Sequence, residues 1–257
     1  MKKIKEWMRK HENSSNVILR LIIKGLHIVG HFTWKCKLFI KDKEFRSVVF
    51  MQIRHPNRVQ QTTQRTWYNR YPEVFQTCKD YLDAMDRKDI KNIKILSYGC
   101  CTGEEVVTLR DYFPEAVIVG AEINQRSLEI CRERKLDDKI KFILSSPKNI
   151  MEHGPYDAVF CMAVLQRLPD YVAKKKISSL KKRYPFEKFE KQIEELDGYV
   201  KEDGLLIVHN TQYELMDTKV SEQYETYGEC GHVSALFDKD SNVVSFEKFR
   251  KSVYRKK

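Results

Sequence analysis

The chain lacks several patterns that would give it a simple assignment. Its seven cysteines form no C-x-x-C pair, and its ten glycines form neither a G-x-G-x-x-G turn nor a glycine–lysine phosphate loop. These absences argue against a zinc ribbon, a dinucleotide-binding fingerprint and a P-loop nucleotide site. We therefore expect reduced, mostly buried thiols and no bound metal.

Long uncharged apolar runs are also missing. No stretch of about 18 residues is apolar and free of charge. The basic start of the chain has no small-residue cleavage site after its apolar part. The sequence thus predicts neither a secretory signal nor a membrane-spanning helix. We expect a cytoplasmic protein, with peripheral attachment to a membrane left open.

Positive charge is concentrated at the start of the chain. Residues 1–60 contain 14 Lys and Arg against 4 Asp and Glu, whereas the remaining 197 residues contain 33 against 32. The excess therefore belongs to a basic extension, placed at residues 1–55, ahead of a larger domain at 56–257. An extension of this charge suggests an anionic partner: a membrane surface, a nucleic acid or an acidic glycan.

Within this extension, the segment from Val17 to Phe32 is mostly apolar and is predicted to be a helix capped by Asn16. Basic side chains interrupt it at helical spacing and share one stripe: Arg20, Lys24, His27 and His31. Two interpretations stay open. The helix is either buried in its own domain or in a dimer, with the stripe in solvent, or it lies in the interface of an anionic membrane.

The remaining chain reads as an α/β protein. Residues 34–49 mix aromatics with lysines and are predicted to form a strand pair or an irregular cover, and residues 56–90 are predicted to be helical. From residue 94, short buried strands alternate with helices, which is typical of a doubly wound, mostly parallel sheet. A turn at 238–242 predicts an antiparallel closing hairpin. The predicted parallel strands are 94–98, 117–122, 140–144, 156–162 and 205–209.

The most informative stretch joins the first strand to the next helix and reads Gly99-Cys100-Cys101-Thr102-Gly103-Glu104-Glu105. Its two glycines let the backbone turn tightly and approach a ligand. The next strand ends in Glu122, 19 residues after Gly103. That is close to the spacing of about 20 residues expected for an acid that binds ribose hydroxyls. The combination predicts a nucleoside site at the carboxyl ends of the strands.

This turn resembles the G-C-x-T-G-E-E turn of chemotaxis-receptor methyltransferases. More broadly, the chain from about Gln60 to Phe246 is similar to class I methyltransferases that use S-adenosylmethionine. The similarity includes the segment Asn69-Arg70-Tyr71-Pro72 and the segments that start at Tyr156 and Val164. It implies a Rossmann-like fold with S-adenosylmethionine as the cofactor.

The resemblance also implies which residues hold that cofactor. The glycine turn would contact its methionine and ribose, Glu122 its ribose hydroxyls, and Ile123 its adenine. Relatives often have an acid after the third strand. This chain has Ser145 and Ser146 there, so a serine, Asn149 or the backbone is expected to hold the adenine amino group. The predicted cofactor-binding residues are Tyr71, Ser97, Gly99, Thr102, Gly103, Glu122, Ile123, Ser145, Ser146 and Met162.

One side chain is a candidate for proton transfer. His209 ends the fifth strand, beside the expected methyl position, and is predicted to be a general base; the alternative is a histidine held by local hydrogen bonds. Gln166 and Arg167 stand where relatives often carry a histidine, so a base there is not assured. Tyr68 or Tyr71 would face the sulfonium.

Together these inferences predict an enzyme that methylates a small molecule, a lipid or a glycan, with O-methylation favoured. One alternative is an RNA methyltransferase, although the larger domain has nearly balanced charge and no N/D-P-P-Y/F motif after its fourth strand. The other is a scaffold that binds the cofactor without catalysis.

Overall fold

The computed structural model describes residues 2–85 and 93–257. The chain divides into two compact units, Met1–Ile53 and Arg54–Lys257. We call them the extension and the main domain and describe each by itself. Residues 86–90 of the predicted helical segment 56–90 lie outside the described residues.

The extension consists of three helices: α1 (Lys2–His11), α2 (Val17–Lys41) and α3 (Lys43–Arg54). Asn16 caps α2 as expected, because its side chain accepts from the backbone amides of Ile18 (3.0 Å) and Leu19 (3.3 Å). The expectation of a strand pair or irregular cover at 34–49 is wrong. Asp42 ends α2 and accepts from the amide of Glu44 at 2.9 Å, so one helix follows another with a single residue between them.

The surface of α2 is unusually apolar for a helix of this exposure. Among its residues only Ile23 is buried. One side of the helix therefore presents a row of large apolar side chains, each at least 40% exposed: Val17, Ile18, Leu21, Ile22, Leu26, Ile28, Val29 and Phe32. We call these eight residues the α2 apolar face. Within the described chain, α2 qualifies as a candidate membrane span by length and composition, with a mean hydropathy of 1.3.

The main domain is built on a seven-stranded sheet with the order β3-β2-β1-β4-β5-β9-β6. The first five strands are mutually parallel, and β9 is antiparallel to both β5 and β6. The doubly wound sheet that the strand pattern predicts is confirmed. The strands are β1 (Lys94–Tyr98), β2 (Val117–Glu122), β3 (Ile140–Leu144), β4 (Tyr156–Met162), β5 (Val200–His209), β6 (Tyr224–Thr226) and β9 (Val253–Lys256).

The predicted closing hairpin is also present, as β7 (Gly231–Phe237) and β8 (Val243–Lys251). It forms a separate two-stranded sheet and does not extend the main one. The main sheet is closed by β6 and β9, which the sequence pattern did not reveal. Both are short, at three and four residues, and a pattern of alternation needs a longer segment to be recognised.

Helices connect the parallel strands: α4 (Pro72–Ala84), α5 (Glu104–Tyr112), α6 (Gln125–Glu133), α7 (Pro147–His153), α8 (Pro169–Lys175) and α9 (Phe186–Asp197). The expectation that 56–90 is helical is wrong for residues 56–71, which form turns and irregular backbone. Contacts with α9 hold this stretch, since Arg58 pairs with Glu195 at 3.1 Å and Gln60 donates to Gln192 at 3.2 Å.

The core lies on both faces of the sheet, because side chains alternate along each strand. On β1, Ile95 packs with the cluster that contains Phe75 of α4 and Val106 of α5. Its neighbour Leu96 packs with the opposite cluster, which contains Phe189 of α9. The central strands are thus fixed from two sides, and their carboxyl ends meet at one edge of the sheet.

Candidate functional site

The candidate site lies where β1, β4 and β5 end. The chain winds outward from β1 to β3 and then returns to β4 on the other side of β1, which makes this edge a topological switch point. The residue directly after each of these strands has a left-handed backbone: Gly99 (φ +76°), Ala163 (φ +59°) and Asn210 (φ +54°). Such conformations are costly and tend to cluster at functional sites.

Glu122, at the end of β2, is tied to the glycine turn. Its two carboxylate oxygens accept from the backbone amides of Cys101 (2.8 Å) and Asn124 (2.7 Å). The side chain is 7% exposed. Burial raises the pKa of Glu122 to about 7, although the amide hydrogen bonds act in the opposite direction. The turn and the acid that the sequence singled out therefore lie in direct contact.

A second carboxylate lies beside the turn. Ser97 on β1 donates to Glu105 at the start of α5 at 2.7 Å. Burial raises the pKa of Glu105 to about 7, against the lowering effects of Ser97 and Arg70. A site with two desolvated acids suits a cationic ligand, because each acid is easier to ionise next to a positive charge.

Packing within the protein also explains the glycines. A Cβ on Gly99 would lie 2.7 Å from Val164 Cγ2, and one on Gly103 would lie 3.2 Å from Arg134 Nε. Arg134 donates from Nε to the Thr102 carbonyl at 2.7 Å and forms an ion pair with Glu104. The Thr102 hydroxyl also donates to Glu104 at 2.6 Å. These contacts fix the conformation of the turn.

The residues predicted to contact adenine follow β2 and β3. Ser145 is buried and its amide donates to the Glu122 carbonyl at 2.9 Å. The Ser146 hydroxyl caps α7 by accepting from the amide of Asn149 at 3.2 Å, and the Asn149 side chain donates to the Leu144 carbonyl. The polar groups of Ser146 and Asn149 therefore have structural partners. Ile123 is half-buried, and Met162 ends β4 next to Ala163.

Aromatic and basic residues that precede α4 cover the end of β5. The Tyr71 ring lies 4.3 Å from the His209 ring, and the Tyr71 hydroxyl accepts from Asn210 at 2.9 Å. The Arg70 guanidinium lies 4.1 Å from the Trp67 ring and 4.9 Å from the Tyr71 ring. Tyr68, in contrast, is exposed and donates to Asp111 on α5 at 2.6 Å. The structure thus brings Tyr71, rather than Tyr68, to His209.

His209 is 5% exposed and neutral at physiological pH. Burial first, and the charge of Arg70 second, lower its pKa to about 4. Its Nδ1 lies 2.8 Å from the Ser252 hydroxyl, which in turn lies 3.1 Å from Nδ1 of His232. No sequence pattern pointed to this network, because His232 lies within the closing hairpin, Ser252 lies just after it, and no spacing links either residue to the end of β5.

A cavity opens beside the end of β4. Ala163 and Tyr171 line it, together with polar and charged side chains that converge from three segments: Gln61, Thr63, Arg65, Arg70, Gln166 and Asp170. Because the Ala163 amide donates to the His209 carbonyl at 2.8 Å, this cavity adjoins the end of β5. Polar groups that converge on a concavity are typical of a ligand site.

The arrangement fits a nucleoside cofactor. Glu122 offers carboxylate oxygens at the tip of β2, the glycine turn lies directly against them, and Glu105 supplies negative potential nearby. The side chains do not form a comparable site for a metal ion in the part of the chain that the structure describes. The described residues contain no group of three or more His, Cys, Asp or Glu arranged to hold an ion.

A family model described as a methyltransferase domain matches residues 89–250, well over half of the chain. The chain belongs to this methyltransferase family. Membership confirms the expected enzyme class and its methyl donor, S-adenosylmethionine. A search of the curated proteins finds no match.

Among solved structures, the methyltransferase domain is similar to the plantazolicin methyltransferase BpumL in complex with SAH, with 14% identity and a TM-score of 0.40 over 68% of this chain and 57% of that one. It is also similar to TehB from Haemophilus influenzae, with 16% identity and a TM-score of 0.41 over 69% of this chain and 62% of that one. This chain therefore spans less than two thirds of either neighbour.

Proposed function

We propose that this methyltransferase transfers the methyl group of S-adenosylmethionine to an oxygen of a small molecule, a lipid or a glycan. The observation that carries the proposal is the direct contact between Glu122 and the glycine turn at the switch point of the sheet. When bound, the cofactor supplies a methyl group on a sulfonium that is already activated for displacement. The protein then contributes mainly position and exclusion of water.

Most of the predicted binding residues have a role consistent with their positions; Ser146, whose hydroxyl caps α7, is the exception. Glu122 would accept from the ribose hydroxyls, and the turn from Gly99 to Gly103 would lie against the ribose and the methionine part of the cofactor. Ser97 holds Glu105 by a 2.7 Å hydrogen bond, and Glu105 would face the cofactor ammonium. Ile123, Ser145 and Met162 would line the adenine pocket, and Tyr71 would cover the sulfonium from the side of β5.

The acceptor is proposed to enter through the cavity beside β4. Arg65 and Arg70 line it against a single acid, Asp170, which pairs with Arg65 at 3.5 Å while both side chains remain largely exposed. An exposed pair of this length contributes little, so the arginines stay available for an anionic group on the acceptor.

We further propose that the extension binds an anionic membrane surface. The α2 apolar face is exposed along its whole length. The basic stripe, Arg20, Lys24, His27 and His31, is also exposed and runs along the same helix. An apolar face bordered by cations suits a helix that lies in the headgroup region of an anionic bilayer. The stripe disfavours a spanning orientation, since two of its members stay charged.

Attachment to a membrane surface would agree with a methyl acceptor that is a lipid or a small molecule. An RNA substrate receives less support, because the excess of positive charge is confined to the extension, where it accompanies exposed apolar side chains. An RNA-binding main domain would instead be expected to carry its own net excess of cations, whereas residues 61–257 contain 33 Lys and Arg against 32 Asp and Glu.

Calorimetry with S-adenosylmethionine and with its demethylated product tests the core of the proposal. Both should bind to the wild-type protein, and Glu122→Ala should weaken binding by at least about tenfold, which corresponds to loss of a charge-assisted hydrogen bond. Glu129→Ala changes an exposed acid on α6 and serves as the matched control. Absence of binding to the wild type would refute the proposed use of this site.

Turnover is the second measurement. Labelled cofactor incubated with fractionated lysate from the source cell should yield a labelled product. Cofactor binding without any labelled product would favour the inactive scaffold, and a label that ribonuclease releases would favour the RNA methyltransferase.

A further inference from the structure

A buried polar network lies behind the end of β5. It joins His209 on β5, His232 on β7, Arg250 on β8 and Ser252 between β8 and β9, and all four side chains are at most 7% exposed. Buried polar groups of this kind are hydrogen-bonded in defined directions. Those directions decide which nitrogen of each histidine carries the proton.

The direction of these hydrogen bonds is set first at His232, where the neighbouring backbone N–H can only donate. The backbone N–H of Thr211 donates to Nε2 of His232 at 3.2 Å, and Nη2 of Arg250 lies 3.1 Å from the same nitrogen. Nε2 of His232 is therefore an acceptor without a proton. Burial and the charge of Arg250 lower the pKa of His232 to about 3, so the ring is neutral and its proton is on Nδ1.

The proton on His232 Nδ1 sets the next two bonds. It is donated to the Ser252 oxygen at 3.1 Å, and that oxygen lies 2.8 Å from Nδ1 of His209. Among the described residues the Ser252 hydroxyl has no further partner, so its own proton goes to His209 Nδ1. Because His209 is neutral as well, its single proton is on Nε2.

The groups around His209 are donors too. The Tyr71 hydroxyl accepts from Asn210 and keeps its own proton for another partner. Arg70, whose guanidinium stacks on the Tyr71 ring, lines the cavity. The end of β5 thus offers N–H and O–H groups to whatever enters beside it.

We propose that Ser252 and His232 are positioning residues that hold His209 with its proton on Nε2, so that His209 donates a hydrogen bond to the acceptor oxygen. This rests on the proposed methyltransferase activity and replaces the general-base role expected from the sequence. A site that donates a hydrogen bond but does not remove a proton suits a methyl acceptor that is already ionised, such as a carboxylate. One carboxylate oxygen forms the new O–CH₃ bond as the S–CH₃ bond breaks with its electron pair left on sulfur, and no proton is released.

Histidine tautomers are measured directly by ¹⁵N–¹H correlation spectra of the ¹⁵N-labelled protein at pH 7, without cofactor or acceptor. His209, assigned with the His209→Gln variant, should show its proton on Nε2. Ser252→Ala removes the link and should shift His209 toward a mixture of tautomers, whereas Ser179→Ala, a serine outside the network, should not. A proton on Nδ1 in the wild type would overturn the proposal.

Activity gives a second, independent readout. Gln places an amide N–H near the position of Nε2 but has no basic nitrogen. If His209 donates, His209→Gln should keep at least about a tenth of the wild-type rate, while His209→Leu should lose on the order of a hundredfold. If His209 were a base, both variants should lose about equally, and the wild-type rate should rise with pH through a single group.

The acceptor class is tested on the labelled product from fractionated lysate. A methyl ester releases labelled methanol in alkali, and this is the expected result; an alkali-stable product contradicts the carboxylate. Calorimetry with S-adenosylmethionine distinguishes failure of the proposed function from failure of this inference. Loss of binding in the wild type removes the proposed function, whereas intact binding with an Nδ1 proton on His209 removes this inference alone.

Discussion

The main domain buries the large apolar side chains of its central strands, whereas the extension exposes most of its own. Every residue from Ile95 to Tyr98 on β1 is at most 5% exposed. On α2, Ile18, Ile28 and Phe32 are 69%, 70% and 67% exposed. The two units also differ in charge, since the excess of Lys and Arg over Asp and Glu belongs to the N-terminal part of the sequence.

The difference shows that the two units obtain their stability in different ways. The sheet of the main domain is covered on both faces by its own helices, so burial within the chain is sufficient. The α2 apolar face has no such cover within its own unit, and apolar patches of this size mark interaction sites in soluble proteins. This exposed apolar face, together with the excess of basic residues, is the basis for the proposed attachment to an anionic membrane surface.

Removing the exposed apolar side chains should break this comparison most strongly. Ile18→Ser, Ile28→Ser and Phe32→Ser together should weaken binding to vesicles of phosphatidylcholine and phosphatidylserine by more than about 1000-fold, because each side chain contributes roughly 1.5–3 kcal/mol when buried. Co-sedimentation with the vesicles measures the change.

The main domain supplies the matched control. Val233, Val244 and Phe249 on the β7–β8 hairpin are 61%, 60% and 51% exposed. Replacing these three by serine should leave vesicle binding unchanged. A different outcome would be a wild-type protein that does not bind vesicles and sediments as a dimer, while the triple serine variant of α2 is a monomer. That result would show that a second copy of the chain covers the α2 apolar face instead.

Buried acids are the corresponding weakness of the main domain. The pKa of Glu122 is raised to about 7, so the folded state holds this proton more tightly than the unfolded state. Its contribution to stability is therefore lost as pH rises from the unfolded value, about 4.3, through about 7. In Glu122→Gln the side chain at this position does not titrate in this range, so the loss of unfolding free energy that Glu122 causes between pH 4 and pH 8, up to about 3 kcal/mol in the wild type, should be absent from the variant.

The same substitution should weaken cofactor binding, because an amide accepts more weakly from ribose hydroxyls than a carboxylate does. Thermal unfolding between pH 4 and pH 8 measures the first effect and calorimetry the second. Glu129→Gln, at an exposed site on α6, should show neither. A variant stabilised equally at all pH values would mean that ionisation of Glu122 is not the cause.

Neutralising the basic stripe should weaken vesicle binding less than removing the α2 apolar face does. Each Lys or Arg near an anionic membrane contributes about 1 kcal/mol, so Arg20→Gln with Lys24→Gln should weaken vesicle binding by about 30-fold. The loss should shrink at high salt, because charges are then screened. Lys174→Gln with Lys175→Gln, exposed on α8, is the matched pair and should have no effect.

The sequence predicted the fold well where residues repeat with a clear period. All five parallel strands, from Lys94 to His209, lie where alternation and apolar runs indicated. It failed at 34–49, where one capping residue, Asp42, joins two helices and the mixture of aromatics and lysines imitated a strand. It failed again at 56–71, because the contacts of Arg58 and Gln60 with α9 are tertiary and have no local signal.

The candidate site shows the same division. Gly99 follows β1, Gly103 closes the same turn and Glu122 ends β2, so their meeting is a consequence of the parallel sheet and was predictable. The pairing of His209 with Ser252 joins the end of β5 to the residue between β8 and β9, 43 positions further along the chain. No spacing rule covers such a contact, and the direction of its proton depends on the Thr211 amide, which only the folded backbone places.

The smallest expected effects have opposite signs in the two units. Gly25 on α2 has no atom within 4 Å of the position that a Cβ would take, whereas a Cβ on Gly99 would lie 2.7 Å from Val164 in a backbone with φ +76°. Gly25→Ala should therefore stabilise the extension by about 1 kcal/mol through helix propensity. Gly99→Ala should destabilise the main domain by about 1–3 kcal/mol through backbone strain.

Hydrogen exchange measured by mass spectrometry reads both units in one molecule. Gly25→Ala should slow exchange in α2 by about fivefold, and Gly99→Ala should accelerate it in β1 and β4. Gly198→Ala is the neutral reference, since its Cβ would meet the Glu195 carbonyl at an ordinary 3.5 Å. If Gly25→Ala slowed exchange in β1 as well, the two units would unfold together, and the extension would owe its helices to the main domain rather than to a membrane.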